Sequence, residues 1–376
     1  MPAGKNKKQK SLRRQLLSGK QVKARELKKN LSVSDLVENY FNAYNSARLN
    51  EACQLLSQKM LLPGNNVTMG LTIAGALTPA GMSGMIVSMM KAGFVDFIVS
   101  TGANLYHDVH FALGLDLRKG SFTIDDATLW KHGVIRIYDT FLGADTLIKT
   151  DAFLEQILAF DKDALRGTVS SCELHHYIGQ KILKKAKNPE VSILAQAAKL
   201  NIPIYTSSPG DSGFGMNLAS YVPDGITLTI DPNTDVLETA AIVMCAKQNG
   251  AIILGGGSPK NFYMQTQPML WECLGIERGG HDYFIQITMD APQWGGLSGA
   301  TPAEAVSWGK ININELKNTV VVYADTTIAA PILFSYALTK AKPRKQKQLY
   351  LKRTKFMGQL KKEQKGLYWW PEYDKR

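Results

Sequence analysis

From Val67 onward, short apolar runs rich in β-branched residues alternate with longer segments of helical spacing. The strand-like runs are residues 67–72, 95–100, 202–206, 226–230, 251–254, 283–287 and 320–323. Helical segments fall between them at 82–91, from about residue 105, and at 153–160, 192–200, 236–249 and 263–274. Continuous apolar strands alternating with helices predict a mostly parallel sheet covered on both faces, a Rossmann-like α/β arrangement. Ahead of it, Ser34-Asp35 reads as the N-cap of a helix carrying Leu36, Val37, Tyr40, Phe41 and Tyr44. No internal repeat or linker interrupts the body, so residues 31–340 are expected to form a single large domain.

Composition adds an asymmetry. The 376 residues are 45% hydrophobic, enough for a substantial core, and carry a net charge of +12. Residues 1–30 hold 11 Lys and Arg against one Glu, and residues 341–376 hold 12 against three acidic residues, which leaves the body at −7. An acidic body suits a cationic substrate. The basic arm at 1–30 and the basic extension at 341–376 read first as solubilising, disordered ends, helical at most after Ser11. They could also meet nucleic acid or an acidic partner. Trp369-Trp370-Pro371 argues that the C-terminal end docks on something. The longest apolar candidate, 82–90, falls well short of the ~20 residues of a membrane span. No apolar core follows the basic start, so no secretory leader is expected. Cys53, Cys172, Cys245 and Cys273 lie far apart without metal spacing and read as reduced core thiols of a cytoplasmic protein. No metal is expected, because the histidines make no ligand pattern and the His107/His110 pair has no third ligand nearby.

In doubly wound sheets ligands bind beyond the C-terminal strand ends. Four such ends are unusual: Ser100-Thr101-Gly102-Ala103-Asn104, the run from Ser207 through Asp211 to Gly213, Gly255-Gly256-Gly257-Ser258, and Ala324-Asp325-Thr326. Small residues let backbone N–H groups approach a pyrophosphate, and an acidic residue at a strand end can hold ribose hydroxyls. None matches the G-x-G-x-x-G fingerprint, so together they suggest a nucleotide cleft without naming the nucleotide. Near the C-terminal end of the body, Glu304 and Trp308 are four apart on one short helix, and Lys310 follows the Gly309 that should end it. A lysine beside an aromatic wall can lose its proton near neutral pH and form an imine.

The run Glu304-Ala305-Val306-Ser307-Trp308-Gly309-Lys310-Ile311, followed by Tyr323-Ala324-Asp325, strongly resembles the C-terminal signature of the deoxyhypusine synthase family. The resemblance extends at lower density over roughly residues 72–338, with further matches at Ser100-Thr101-Gly102, Ile202-Pro203-Ile204, Asp211, Gly255-Gly256-Gly257 with Lys260, and Ser298-Gly299-Ala300. It implies an NAD-dependent aminobutyl transfer from spermidine. Lys310 is then the imine-forming lysine, Glu304 a polyamine-binding acid and Trp308 the wall of its slot. The NAD contacts implied are Thr101, Gly102, Asp211, Gly255, Gly256, Gly257, Ala324 and Asp325. It further implies a homotetramer.

The chain departs from the family in its substrate shell. Lys260-Asn261-Phe262 stands where the family has a lysine followed by two histidines, so Asn261 takes the position of the acid–base histidine against the substrate. Trp294-Gly295-Gly296-Leu297-Ser298-Gly299 lacks the family's two aspartates, Met216 replaces another acid, and Asn104-Leu105-Tyr106-His107-Asp108 replaces an acidic turn. Three functions follow. The favoured one is aminobutyl transfer to a small amine such as putrescine, giving homospermidine; the others are modification of a lysine on a translation factor, and a non-catalytic NAD-binding scaffold. For the missing histidine, either His107 supplies the base from near a helix start, where the dipole favours neutral imidazole, or Lys310 deprotonates the substrate unaided.

Overall fold

The computed structural model describes residues 11–365. Six strands form the central sheet: β1 Val67–Ile73, β2 Phe97–Ser100, β3 Ile204–Thr206, β4 Gln248–Leu254, β5 Tyr283–Thr288 and β6 Thr319–Tyr323. All pairs are parallel and the order is β3-β2-β1-β4-β5-β6. This is the doubly wound order, whose direction reverses between β1 and β4. β1 to β5 are near-continuous apolar runs because both faces are buried, whereas β6 at the sheet edge is only half-buried. Leu71, Ile73, Ile252 and Leu254 face one core with the helix Thr326–Lys340. Their neighbours Ala251 and Ile253, with Phe97 and Phe284, face a second core with the helix Pro232–Cys245.

Several expected boundaries move. Residues 226–230 shorten to Leu228–Ile230, which leaves the main sheet and pairs with Gly167–Val169. The helix expected over 236–249 is Pro232–Cys245, because Asn249 already belongs to β4. The first helix is capped by Ser32, not Ser34, and ends at Tyr40. Tyr44 starts a second helix at φ 54° and is 94% exposed, so it leaves the expected aromatic stripe. A three-stranded antiparallel sheet, Arg118–Lys119, Val134–Ile137 and Thr140–Gly143, stands apart from the main sheet. Cys53 and Cys172 are buried, whereas Cys245 is half-buried and Cys273 exposed, so the four are not all core thiols. No helix among the described residues is long and apolar enough to cross a membrane.

Residues 341–365 do not leave the body as a disordered end. They run along the starts of β1, β2 and β3. Arg344 donates from Nε to the Gly93 carbonyl (2.9 Å), from Nη1 to that of Val67 (3.0 Å) and from Nη2 to the Asp96 carboxylate (3.1 Å). Lys347 donates to the Thr68 hydroxyl, and the Tyr350 amide to the Asn201 carbonyl. The helix Arg353–Glu363 then packs on Pro232–Cys245. Arg353 donates to Glu238 at 3.0 Å, and the Tyr350 ring stacks on His176 with centroids 3.6 Å apart. Trp369-Trp370-Pro371 and residues 1–10 lie outside the described residues.

Candidate active site

The loops after the strands are stitched into one rim. After β2, Asn104 accepts from the amides of Leu77 and Thr78 and donates to the Gly75 carbonyl and the Thr101 hydroxyl, which ties the β2 turn to the loop after β1. A Cβ at Gly102 would lie 2.5 Å from Ser212, so only glycine lets the β2 and β3 ends meet there. Ser207 and Ser258 share a hydroxyl hydrogen bond of 2.8 Å between the β3 and β4 ends. Gly256 lies against Ser298, where a Cβ would come within 2.6 Å, and the Gly257 amide donates to Ser298 Oγ at 2.8 Å.

Helix Gly257–Met264 carries the next side chains, and the sheet fixes its height. Gly70 in β1 leaves room for the Tyr263 ring, which meets Phe97 edge-on at 4.9 Å and donates to the Gly250 carbonyl. That seating aims Lys260 and Asn261 at the β5 loop. Lys260 is only 5% exposed and donates to Gln286 Oε1 (2.9 Å), the Ser298 carbonyl (3.2 Å) and the Ala300 carbonyl (2.7 Å). No carboxylate forms an ion pair with it among the described residues. Burial therefore lowers its pKa to about 8, Glu304 opposes the shift and Lys310 adds to it.

Lys310 follows Gly309, which turns the chain at φ 65° after the helix Pro302–Ser307. Its Nζ donates to Asn261 Oδ1 at 2.9 Å and lies 5.4 Å from the centroid of the Trp308 ring. Burial lowers the Lys310 pKa, and the charge of Glu304 partly opposes this. An amide oxygen accepts the hydrogen bond without the countercharge that would hold the ammonium form. Glu304 and Trp308 are both exposed, so the amine opens onto an acidic, aromatic mouth. Met289, Trp294 and Leu297 of the β5 loop are also exposed large apolar side chains.

The structure thus brings Lys310, Asn261, Glu304 and Trp308 together, and gathers Thr101, Gly102, Gly255, Gly256 and Gly257 at the switch point. Asp211 is exposed beside Ser212. Ala324 holds the β6 end through its amide on the Thr288 carbonyl, and Asp325 caps the helix Thr326–Lys340, accepting from the Thr327 amide at 2.7 Å. His107 sits elsewhere in its contacts. Its ring meets Tyr106 and His110, burial lowers its pKa, and no hydrogen bond joins it to Lys310 or Asn261 among the described residues. Sequence reasoning gives Lys260 only as a motif match without a role, and misses Gln286. The available signal was Gln286, a polar residue inside the apolar run Tyr283-Phe284-Ile285-Gln286-Ile287, which needs a buried partner.

The sequence matches the family described as deoxyhypusine synthase over residues 35–337. This chain belongs to the deoxyhypusine synthase family. A deoxyhypusine synthase-like protein of Nostoc punctiforme is 47% identical over 353 residues, 92% of this chain and 90% of that one. Probable deoxyhypusine synthase 2 of Methanosarcina acetivorans is 39% identical over 306 residues, 81% and 86% of the two chains. The crystal structure of an Entamoeba histolytica protein assigned as a deoxyhypusine synthase shares the fold, at a TM-score of 0.58 and 16% identity over 86% of this chain and 99% of that one. Members of the deoxyhypusine synthase family are transferases, and the chain is one of them.

Proposed function

We propose that the protein transfers a 4-aminobutyl group from spermidine to a small amine such as putrescine, with NAD as cofactor and Lys310 as the covalent carrier, in cytoplasmic polyamine metabolism. The observation that carries this reading is the half-buried Lys310 amine, hydrogen-bonded to an uncharged amide and open to Glu304 and Trp308. A non-catalytic scaffold would need none of these.

The residues that would hold NAD line this rim: the glycine turns at 102 and 255–257, where Gly102 and Gly256 pack against Ser212 and Ser298, would take its pyrophosphate, and Asp211 and Asp325 its riboses. Bound there, NAD would supply the hydride chemistry, accepting a hydride from the donor amine and giving it back to the product imine. Glu304 attracts the substrate ammonium, and the Trp308 face holds it. Neutral Lys310 adds to the oxidised carbon of the four-carbon arm, forming a C–N bond as 1,3-diaminopropane leaves with the original one. The acceptor amine then displaces Lys310, which regains its proton. Lys310 and Asn261 manage this without His107, whose contacts lie with Tyr106 and His110. The exposed Met289, Trp294 and Leu297 around the mouth suit a homotetramer in which a second copy covers the site.

The test incubates pure protein with spermidine, NAD and putrescine and follows homospermidine by chromatography. Homospermidine formation supports the reading. Transfer only to a lysine of a translation factor would replace the acceptor, and no release of 1,3-diaminopropane with either would overturn the activity.

A further inference from the structure

Behind the Lys310 loop lies a groove of about 500 Å³, walled by Trp271, Val306, Gly309, Ile311 and Ile313. Glu277, Arg278 and Asn314 stand on its rim. The groove is separate from the amine's own environment. A Cβ on Gly309 would lie 2.7 Å from Trp271 Nε1, so the groove touches the backbone just before Lys310, while the Lys310 side chain reaches Asn261.

The described chain ends at the lip of this groove. After the helix Arg353–Glu363, the Lys365 amide donates to the Leu274 carbonyl at 3.0 Å. Leu274 is three residues from Trp271 and three from Glu277. Eleven residues follow, and four of them, Tyr368, Trp369, Trp370 and Tyr373, are aromatic, against 9% in the whole chain. Such a segment gains most by burying its rings. Five extended residues reach up to ~17 Å, enough to bring Trp369 and Trp370 from Lys365 over the groove.

We propose that residues 367–371 of the same chain seat in this groove, with Trp369 and Trp370 as anchors, and brace the Gly309–Lys310 loop from behind. This holds whatever reaction Lys310 performs. The test places the photocrosslinker p-benzoylphenylalanine at position 370 of the full chain and maps the adducts. Mixing ¹⁵N-labelled and unlabelled protein separates crosslinks within a chain from those between chains. Adducts within one chain on 271–280 or 305–314 support the proposal. Adducts elsewhere, between chains, or none overturn it. Hydrogen exchange of the full-length Trp369→Ala/Trp370→Ala variant supplies a second arm. Amides of 309–311, two of which bond to the Ala305 carbonyl, should exchange about tenfold faster. Unchanged exchange there would overturn the bracing.

Discussion

Two buried cations at opposite ends of the sheet are handled in opposite ways. At the strand starts, Arg344 lies against the fully buried carboxylate of Asp96 and also spans the carbonyls of Gly93 and Val67. Burial pushes the Asp96 pKa up, while Arg344 and Lys347 pull it down. At the strand ends, Lys260 is buried with carbonyl and amide oxygens only, and Lys310 beside it is held by an amide. A paired charge fixes structure; an uncompensated amine is easily deprotonated and becomes reactive. In the proposed reaction the uncompensated amines form the reactive end, while the paired charge at the other end holds structure.

The largest expected effect is at Lys310. Lys310→Arg keeps the charge but cannot attack carbon, so turnover should fall about 10³-fold or more with NAD binding nearly intact. Borohydride trapping of a butylamine adduct checks it; an adduct on another lysine would defeat the assignment. At the other end, Arg344→Ala should cost about 3 kcal/mol by leaving buried Asp96 with only the more distant Lys347 ammonium, 4.0 Å away, as countercharge. Denaturant unfolding measures this, and adding Asp96→Asn should recover part of the loss. If Arg344→Ala unfolds like the wild type, the stabilising half of the comparison fails.

Asp325→Asn keeps the helix cap while removing the charge. NAD should then bind about tenfold more weakly, a loss of about 1.4 kcal/mol. An unchanged dissociation constant by calorimetry would remove Asp325 from the cofactor cleft. Lys260→Met tests the coupling between the lysines. Besides burial, Lys310 is among the charges that lower the Lys260 pKa to about 8, so the two amines are coupled. Removing Lys260 should raise the Lys310 pKa and move the acidic limb of the kcat/KM profile to higher pH by about one unit. A purely structural role for Lys260 would lower activity without that shift. The smallest effect is expected at His107. His107→Gln should change turnover less than about threefold, whereas a general base would be worth ~10²–10⁴. A large loss with a shifted pH profile would restore His107 as the base.

The main strands were readable because β-branched runs buried on both faces leave a continuous apolar signal, as in Phe97–Ser100. The Glu304, Trp308 and Lys310 cluster was readable because all three fall within seven residues. The antiparallel sheet was not: Arg118–Lys119 is two exposed basic residues that become a strand only by pairing with Thr140 and Phe141. Nor was the course of residues 341–365, where basic composition suggested a solvated end although Arg344 finds Asp96 across 248 residues.

The sequence by itself determined the alternation of strands and helices, the glycine turns at the strand ends and the local loop that presents Lys310. Only the tertiary structure decided what protonation each lysine favours. Asn261 reaches Lys310 from 49 residues away, and Ala300 reaches Lys260 from 40. A lysine's pKa depends on how much water it loses and which oxygens replace it, and those oxygens come from elements that meet only when the chain folds.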